Sequence, residues 1–278
     1  MLSTEVIAPS PPLGEFVRHY VCLRASTPGS PQVRPIAARN ELILAFNLDE
    51  RHEAYEYRTA APRLLPSALL VGPQTARRAD LWLGERWVSF AVHFRPSAFL
   101  RLFHLPVSDF TDRALDAGDI IGSEAATLRD RLAQAGSAVA MARLVDRYLR
   151  QRVAAAAPMH PTARAAEAMI SRHGRMTVGE AVRTTGLSPR HFERRFVEQM
   201  GMAPKLYGRV ARLNFVLRLK TRQPALTWAQ ISQEAGFFDQ THVVKDFKAM
   251  AGAPPGAYMR SGLPADGGFL LSSPQLHA

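Results

Sequence analysis

Two groups of side chains have the types and spacing needed to read the edges of base pairs. Arg190, Glu193, Arg194 and Val197 share one stripe of a helical wheel, opposite Phe192 and Phe196. Gln240, Thr241, Val244, Lys245 and Lys248 share a second stripe, opposite Val243, Phe247 and Met250. Arg and Lys can pair with guanine O6 and N7, Gln with adenine, a carboxylate with the cytosine amino group, and Thr or Val with a thymine methyl. Glu193 sharpens sequence preference but weakens affinity, because a carboxylate in a groove also repels phosphate. Other chemistries find little to work with. The nine His form no His-x-His or His-Glu-x-x-His pair, so no metal site is expected. Cys22, the single cysteine, lies between Val21 and Leu23 and reads as a small buried hydrophobe. His93 sits on a strand face and reads as a packed residue. No Gly-x-Ser-x-Gly, Walker loop or Gly-x-Gly-x-x-Gly occurs. No catalytic residue, cofactor or metal ligand is therefore assigned.

Presenting such stripes requires short helices with sharp ends. Thr177 can cap a helix over 178–185, Gly186 supplies a turn, and Ser188 caps the next helix with Pro189 at its first position. Thr227 begins a parallel unit through Ile231 to Ala235, Gly236-Phe237 forms the turn, and Asp239 to Met250 forms the second helix. Gly186 and Gly236 stand 50 residues apart, and Phe196 and Phe247 anchor the helices that follow them. This is the helix-turn-helix pattern, given twice. Between the copies, Pro204 opens a helix over 204–220. Tyr207, Leu213, Val216 and Leu217 line one side, with Arg209, Arg212, Arg218 and Lys220 around it. Such a strut, ~25 Å long at about 1.5 Å per residue, can hold two reading helices roughly one DNA turn, ~34 Å, apart.

The first third of the chain reads as strands. Residues 40–48 and 68–71 are short apolar runs, and 87–94 alternates, with Val88, Phe90, Val92 and Phe94 on one face and Trp87, Ser89, Ala91 and His93 on the other. Pro- and Gly-rich punctuation at 9–14, 28–35 and 62–66 separates the runs, and an antiparallel sheet or small barrel is the natural assembly. Trp82 and Trp87 fit the core of such a barrel. A helix is expected from Arg95-Pro96-Ser97 to His104, then two amphipathic helices within 123–152, broken near Gly136. The stretch 153–161 is small, uncharged and ends in proline. It marks a linker at 154–161, between a first domain at 1–153 and a helical domain at 162–262 with a tail at 263–278.

Charge follows the same division. The chain of 278 residues carries a net +11. Residues 1–155 hold 19 Arg and no Lys against 16 acids, whereas 156–262 hold 16 Lys and Arg against 7 acids. The excess therefore sits with the helical pattern and favours a polyanionic partner. No apolar run reaches the ~20 residues of a membrane span and no secretory signal pattern opens the chain, so a cytoplasmic protein is expected.

Residues 160–262 resemble the DNA-binding domain of the AraC/XylS family of bacterial transcriptional regulators. The resemblance is carried by Gly-Leu-Ser-Pro-Arg-His-Phe-Glu-Arg-Arg-Phe at 186–196, Arg-Leu-Asn at 212–214, Gly-Phe-Phe-Asp-Gln-Thr-His-Val-Val-Lys-Asp-Phe-Lys at 236–248, and Ala-Pro-Pro-Gly-Ala-Tyr at 253–258. It implies base contacts from Arg190, Glu193, Arg194, Gln240, Thr241, Val244 and Lys245. Departures are also visible. Phe238 replaces a small hydroxyl residue, which passes the helix cap to Asp239. Val243 replaces an aromatic, Val182 and Ser232 replace Ala, and Gly208 is expected to interrupt the linker helix. More loosely, the strings around Gly72-Pro73-Gln74-Thr75 and Val92-His93-Phe94-Arg95-Pro96 are similar to cupin-like sensor domains of this family. The fold expected is α+β: a cupin-like antiparallel β-barrel with helices, then an all-α domain of two helix-turn-helix units joined by a linker helix. The resemblance implies a sequence-specific regulator that binds promoter or operator DNA and responds to a small-molecule effector, with RNA polymerase and a second copy of the chain as further partners. The stretch 123–152 fits dimerisation and equally fits packing on its own barrel. A DNA-tethered enzyme or repair protein and a nonspecific architectural DNA binder are the alternatives.

Overall fold

The structure is a computed structural model that describes residues 2–26, 32–49, 53–57, 62–83, 85–237 and 239–260. Ten strands come first: β1 (Leu2–Ile7), β2 (Val17–Ser26), β3 (Gln32–Pro35), β4 (Ile43–Asn47), β5 (Glu53–Glu56), β6 (Pro62–Leu64), β7 (Ala68–Val71), β8 (Ala79–Leu83), β9 (Arg86–Phe94) and, after helix α1 (Ala98–Phe103), β10 (Ala114–Asp116). They form two antiparallel sheets, ordered β1-β2-β9-β4-β7-β10 and β3-β8-β5-β6. The larger sheet has two differently used faces, as the alternation in β9 requires. Tyr20, Cys22, Leu44, Phe46, Leu70, Phe90, Val92 and Phe94 point into a core shared with helices. On the opposite face Leu23, Ala25 and Trp87 pack with Ile36, Ala54, Leu81 and Leu83 of the second sheet. Smaller residues, Val21, Ile43, Ala45, Leu69, Val71 and Ala91, continue that face.

Two expectations change in detail. No ladder joins the sheets among the described residues, so they face each other instead of closing into one barrel. Proline-rich segments at 28–35 and 62–66, read as punctuation, contain β3 and β6. Both are edge strands, where a missing N–H leaves no internal ladder bond unmade.

Helices α2 (Gly118–Ile121), α3 (Glu124–Ala133) and α4 (Ala138–Val153) follow. Their break falls at Gly136, and Ser137 caps α4 by accepting from the Ala140 N–H at 3.2 Å. The apolar stripe of this pair, including Leu128, Leu132, Met141, Val145 and Leu149, is buried in the core beneath the larger sheet. The chain between Val153 and Pro161 then leads into α5 (Pro161–Ser171), α6 (Val178–Arg183), α7 (Pro189–Met200), α8 (Pro204–Arg222), α9 (Trp228–Glu234), α10 (Gln240–Ala251) and α11 (Pro255–Arg260). These helices share a second core containing Phe192, Phe196, Tyr207, Val216, Ile231, Val243, Phe247 and Tyr258. The tail at 263–278 lies outside the described residues.

Helix α8 runs unbroken through Gly208, contrary to the interruption expected there. Glycine serves packing instead: the carbonyl of Gly208 lies where a Cβ on Gly174 would stand, and Arg212 of the strut donates to the Gly174 carbonyl at 2.8 Å. The absence of a side chain at Gly174 lets α8 close onto the turn after α5.

Candidate nucleic-acid interface

The duplication read from the sequence extends to individual hydrogen bonds. Thr177 accepts from the Glu180 N–H at 3.2 Å while Glu180 accepts from the Thr177 N–H at 2.7 Å. Thr227 and Gln230 repeat this reciprocal box at 3.3 and 2.8 Å. Ser188 caps α7 by accepting from the His191 N–H at 3.3 Å, and Asp239 caps α10 by accepting from the His242 N–H at 2.9 Å. The cap of the second unit has thus passed to Asp239, whose carboxyl the His242 N–H holds below its ordinary range. Phe238, the departure that displaced it, lies outside the described residues. Gly186 and Gly236 turn between helices at φ +69° and +68°, and Gly201 and Gly252 end the reading helices at +74° and +78°. All four sit in the left-handed region that favours glycine.

On α7, Phe192 and Phe196 are fully buried while Arg190, Glu193 and Arg194 are exposed and Val197 is half-buried. On α10, Val243, Phe247 and Met250 are buried, Thr241, Lys245 and Lys248 are exposed, and Val244 is half-buried. Gln240 is the first residue of α10, and its side chain is outside the described set. Each candidate stripe therefore faces outward from a helix seated by the opposite stripe. Strut α8 packs against both α7 and α10, so the two stripes are carried by one support. Ser232, a departure from Ala, is buried and donates to the Trp228 carbonyl at 2.6 Å, which removes the cost of burying its hydroxyl.

Several cations that the sequence placed around the strut are engaged within the protein. Arg209 donates to Asp246 of α10 at 2.7 Å, Arg212 holds Gly174, and Lys220 donates to the Pro224 and Leu226 carbonyls, both at 2.7 Å, beneath the ring of Trp228. They fasten the two units to the strut. Arg183, Arg190, Arg194, Lys205, Lys245 and Lys248 are among the exposed cations on the surface of the helical part.

A second polar cluster escaped sequence reading. The β2–β9 register sets His19 opposite His93, with ring centroids 4.6 Å apart. His93 Nδ1 lies 2.8 Å from Glu41, and Arg18 lies 3.6 Å from Glu41 and 3.7 Å from Glu167 of α5. Arg95 meets Glu167 at 3.4 Å, so the network spans the strand-rich and helical parts. Burial opposes ionisation of Glu41, but the hydrogen bond with His93 and the nearby cations hold its carboxyl well below the usual range. His93 is thus one member of a pair, which periodicity along a single strand does not disclose. Cys22 is buried as expected, and burial pushes its thiol upward. Among the described residues, no group of three or more His, Cys, Asp or Glu is placed to hold a metal ion, and no helix is long and apolar enough to cross a membrane.

Residues 181–261 match a family model described as a helix-turn-helix domain, and residues 5–116 match a domain of unknown function, DUF6597. No curated protein matches the chain. A structure of ToxT from Vibrio cholerae is similar at 10% identity with a TM-score of 0.50, covering 94% of this chain and 98% of that one. A second ToxT structure, bound to (E)-4-(8-methylnaphthalen-1-yl)but-3-enoic acid, is 11% identical over the same shares with a TM-score of 0.48. The AraC-like transcriptional activator CuxR is 13% identical over 93% of this chain and 84% of its own, with a TM-score of 0.24. The first of these likenesses supports the overall α+β architecture and nothing finer. Fold and site together define a helix-turn-helix DNA-binding protein. The matched helix-turn-helix domain at 181–261 contains the strings at 186–196 and 236–248.

Proposed function

We propose that the chain is a sequence-specific regulator that reads two adjacent major grooves with α7 and α10. The division of labour is 1–153 for sensing, 154–161 as linker and 162–262 for DNA. The observation that carries this reading is the exposure of both outer stripes on helices whose inner stripes are buried against one core. In this reading Arg190, Glu193 and Arg194 address one groove, and Gln240, Thr241, Val244 and Lys245 address the next. A small molecule held by the strand-rich part biases DNA binding or polymerase contact. Buried polar atoms without hydrogen-bond partners support that part: both ring nitrogens of His19, Oε1 of Gln74, and Nε and Nη1 of Arg39. Such atoms are costly to leave unsatisfied, and a polar effector would relieve the cost. Any pairing between copies through α3 and α4 must use their outer faces, because the apolar stripe is committed to the core.

Selection of bound duplexes from a random pool tests the reading. The protein should recover a pair of half-sites, and Arg194→Ala should cost about 1–3 kcal/mol on that site and relax preference at one base pair. Arg222→Ala, at the far end of the strut, should weaken all duplexes alike or hardly at all. Equal affinity for every duplex at fixed salt would leave only a nonspecific binder.

A further inference from the structure

The four glycines that turn or end the helix-turn-helix units share the left-handed conformation, and the strand-rich part approaches only two of them. Gly186, in the turn of the first unit, would offer a Cβ open space with nothing within 4 Å, and Gly236 of the second unit meets only Arg175. Gly201 and Gly252, which end the two reading helices, are each gripped by a hydroxyl from the strand-rich part. Thr111 donates to the Gly201 carbonyl at 2.6 Å, and Tyr57 donates to the Gly252 carbonyl at 2.9 Å. A Cβ on Gly201 would stand 2.6 Å from the Thr111 hydroxyl and 3.2 Å from Pro73, and one on Gly252 would overlap the Tyr57 hydroxyl. The Ala38 N–H adds a bond to the Met250 carbonyl at 2.9 Å. Carbonyls at helix C-termini lack intrahelical donors, so these are bonds that the helix ends need from outside. Ordinary capping does not account for the pattern, since the approach is confined to the equivalent glycine of each unit.

Both grips also lead to one loop. Residues 72–78, between β7 and β8, hold the Thr111 side through Asp112, which accepts from the Thr75 N–H at 2.7 Å and from Arg78 at 2.8 Å. The same loop holds the Tyr57 side, because the Arg77 guanidinium lies 4.1 Å from the centroid of that ring and is itself fixed by two bonds to Asp80 at 2.7 and 2.6 Å. Gly72 starts the loop against the carbonyl of Phe110, too close for any side chain. Val71, immediately before it, lies on the face of the larger sheet that carries Ile43, Ala45 and Ala91.

The geometry points to a two-point clasp: loop 72–78 fixes the C-terminal glycines of both reading helices and so sets their relative placement from within the strand-rich part. The reading stripes stay exposed, so the clasp orients them and does not cover them. A shift of the larger sheet at Val71 moves both helix ends together, which gives the sensing part a mechanical route to each groove. This inference rests on the reading of α7 and α10 as the DNA-contacting helices.

The experiment uses the full chain and the isosteric variants Thr111→Val and Tyr57→Phe, singly and together, with Arg77→Ala as a loop variant that removes the cation over the Tyr57 ring. In free protein, amide hydrogen exchange is followed by mass spectrometry over 197–203 and 246–254. Thr111→Val should accelerate exchange in the first stretch, and Tyr57→Phe and Arg77→Ala in the second, each by about fivefold or more. Unchanged exchange in both stretches in the double variant would overturn the clasp. In the DNA arm, each protein binds its selected duplex and the same duplex with one base pair inserted between half-sites. The parent should discriminate between them by about tenfold or more, and the double variant should lose most of that ratio. Retention of the full ratio overturns the proposed control of placement. Failure of the parent to select any duplex counts against the DNA reading itself, and the exchange arm then decides the clasp alone.

Discussion

His19 is 1% exposed, and neither ring nitrogen has a hydrogen-bond partner. Burial, with the neighbouring His93 and Arg18, pushes its pKa down to about 3 from 6.5. The neutral ring is thus favoured in the folded state. For a group with a lowered folded pKa, stability is fully present above the unfolded value and is lost as pH falls from 6.5 towards 3. Between pH 7.5 and 5 the folded protein should lose about 2 kcal/mol through this residue. Glu41 acts lower on the scale, since its depressed carboxyl sustains stability above the ordinary carboxylate range and loses it only in stronger acid. Urea unfolding at the two pH values checks the assignment: His19→Phe should flatten the dependence, and an unchanged slope would show that another group causes it. This pair also marks a boundary of what a sequence discloses about residues. The outward placement of Arg190, Arg194 and Lys245 follows from a 3.6-residue period within one helix. Contact between His19 and His93 follows from strand register, which depends on a bulge near Val17 and on pairing between strands far apart in the sequence.

Helix ends are the most legible elements, because caps and glycines act locally. Ser137, Thr177, Ser188 and Thr227 all cap where their residue types place them, and Gly201 and Gly252 close α7 and α10. Edge strands β3 and β6 are hidden because proline masks a strand signal that only sheet position makes tolerable. Gly208 misleads for a related reason: a helix breaker by propensity, it stands inside a helix that tertiary packing holds, with its carbonyl against Gly174. A matched pair of substitutions separates backbone strain from packing. Gly186→Ala meets no neighbour, so it should cost about 1–2 kcal/mol, the penalty of a left-handed alanine alone. Gly174→Ala has the same type of φ, +72°, and its Cβ also meets the backbone of α8 at Gly208 and Arg212. It should cost roughly 1–3 kcal/mol more, as overpacking against rigid backbone does. Thermal unfolding of the two variants measures the difference directly. Equal costs would mean that the strut yields to the Cβ added at Gly174.

At the scale of the whole molecule, the net charge of +11 divides by location as well as by sign. Arg209 is spent on Asp246, and Arg212 and Lys220 on backbone carbonyls, so these cations hold the strut to its units. Lys248 is exposed on α10 beside the reading stripe, in position for the phosphate backbone. The two kinds of cation should separate in a salt titration of duplex binding. Each neutralised phosphate contributes about 0.9 to the slope of log affinity against log salt, because binding releases condensed counterions. Lys248→Ala should reduce that slope by about 1 and leave the unfolding midpoint nearly unchanged. Arg209→Ala should lower the midpoint, because it leaves the half-buried Asp246 unpaired, while the salt slope stays at the parent value. The reverse assignment, with the slope following Arg209 and stability following Lys248, would place the duplex along the strut instead of across α7 and α10. That outcome would redraw the DNA path while leaving the fold intact, since the core of the helical part depends on neither side chain.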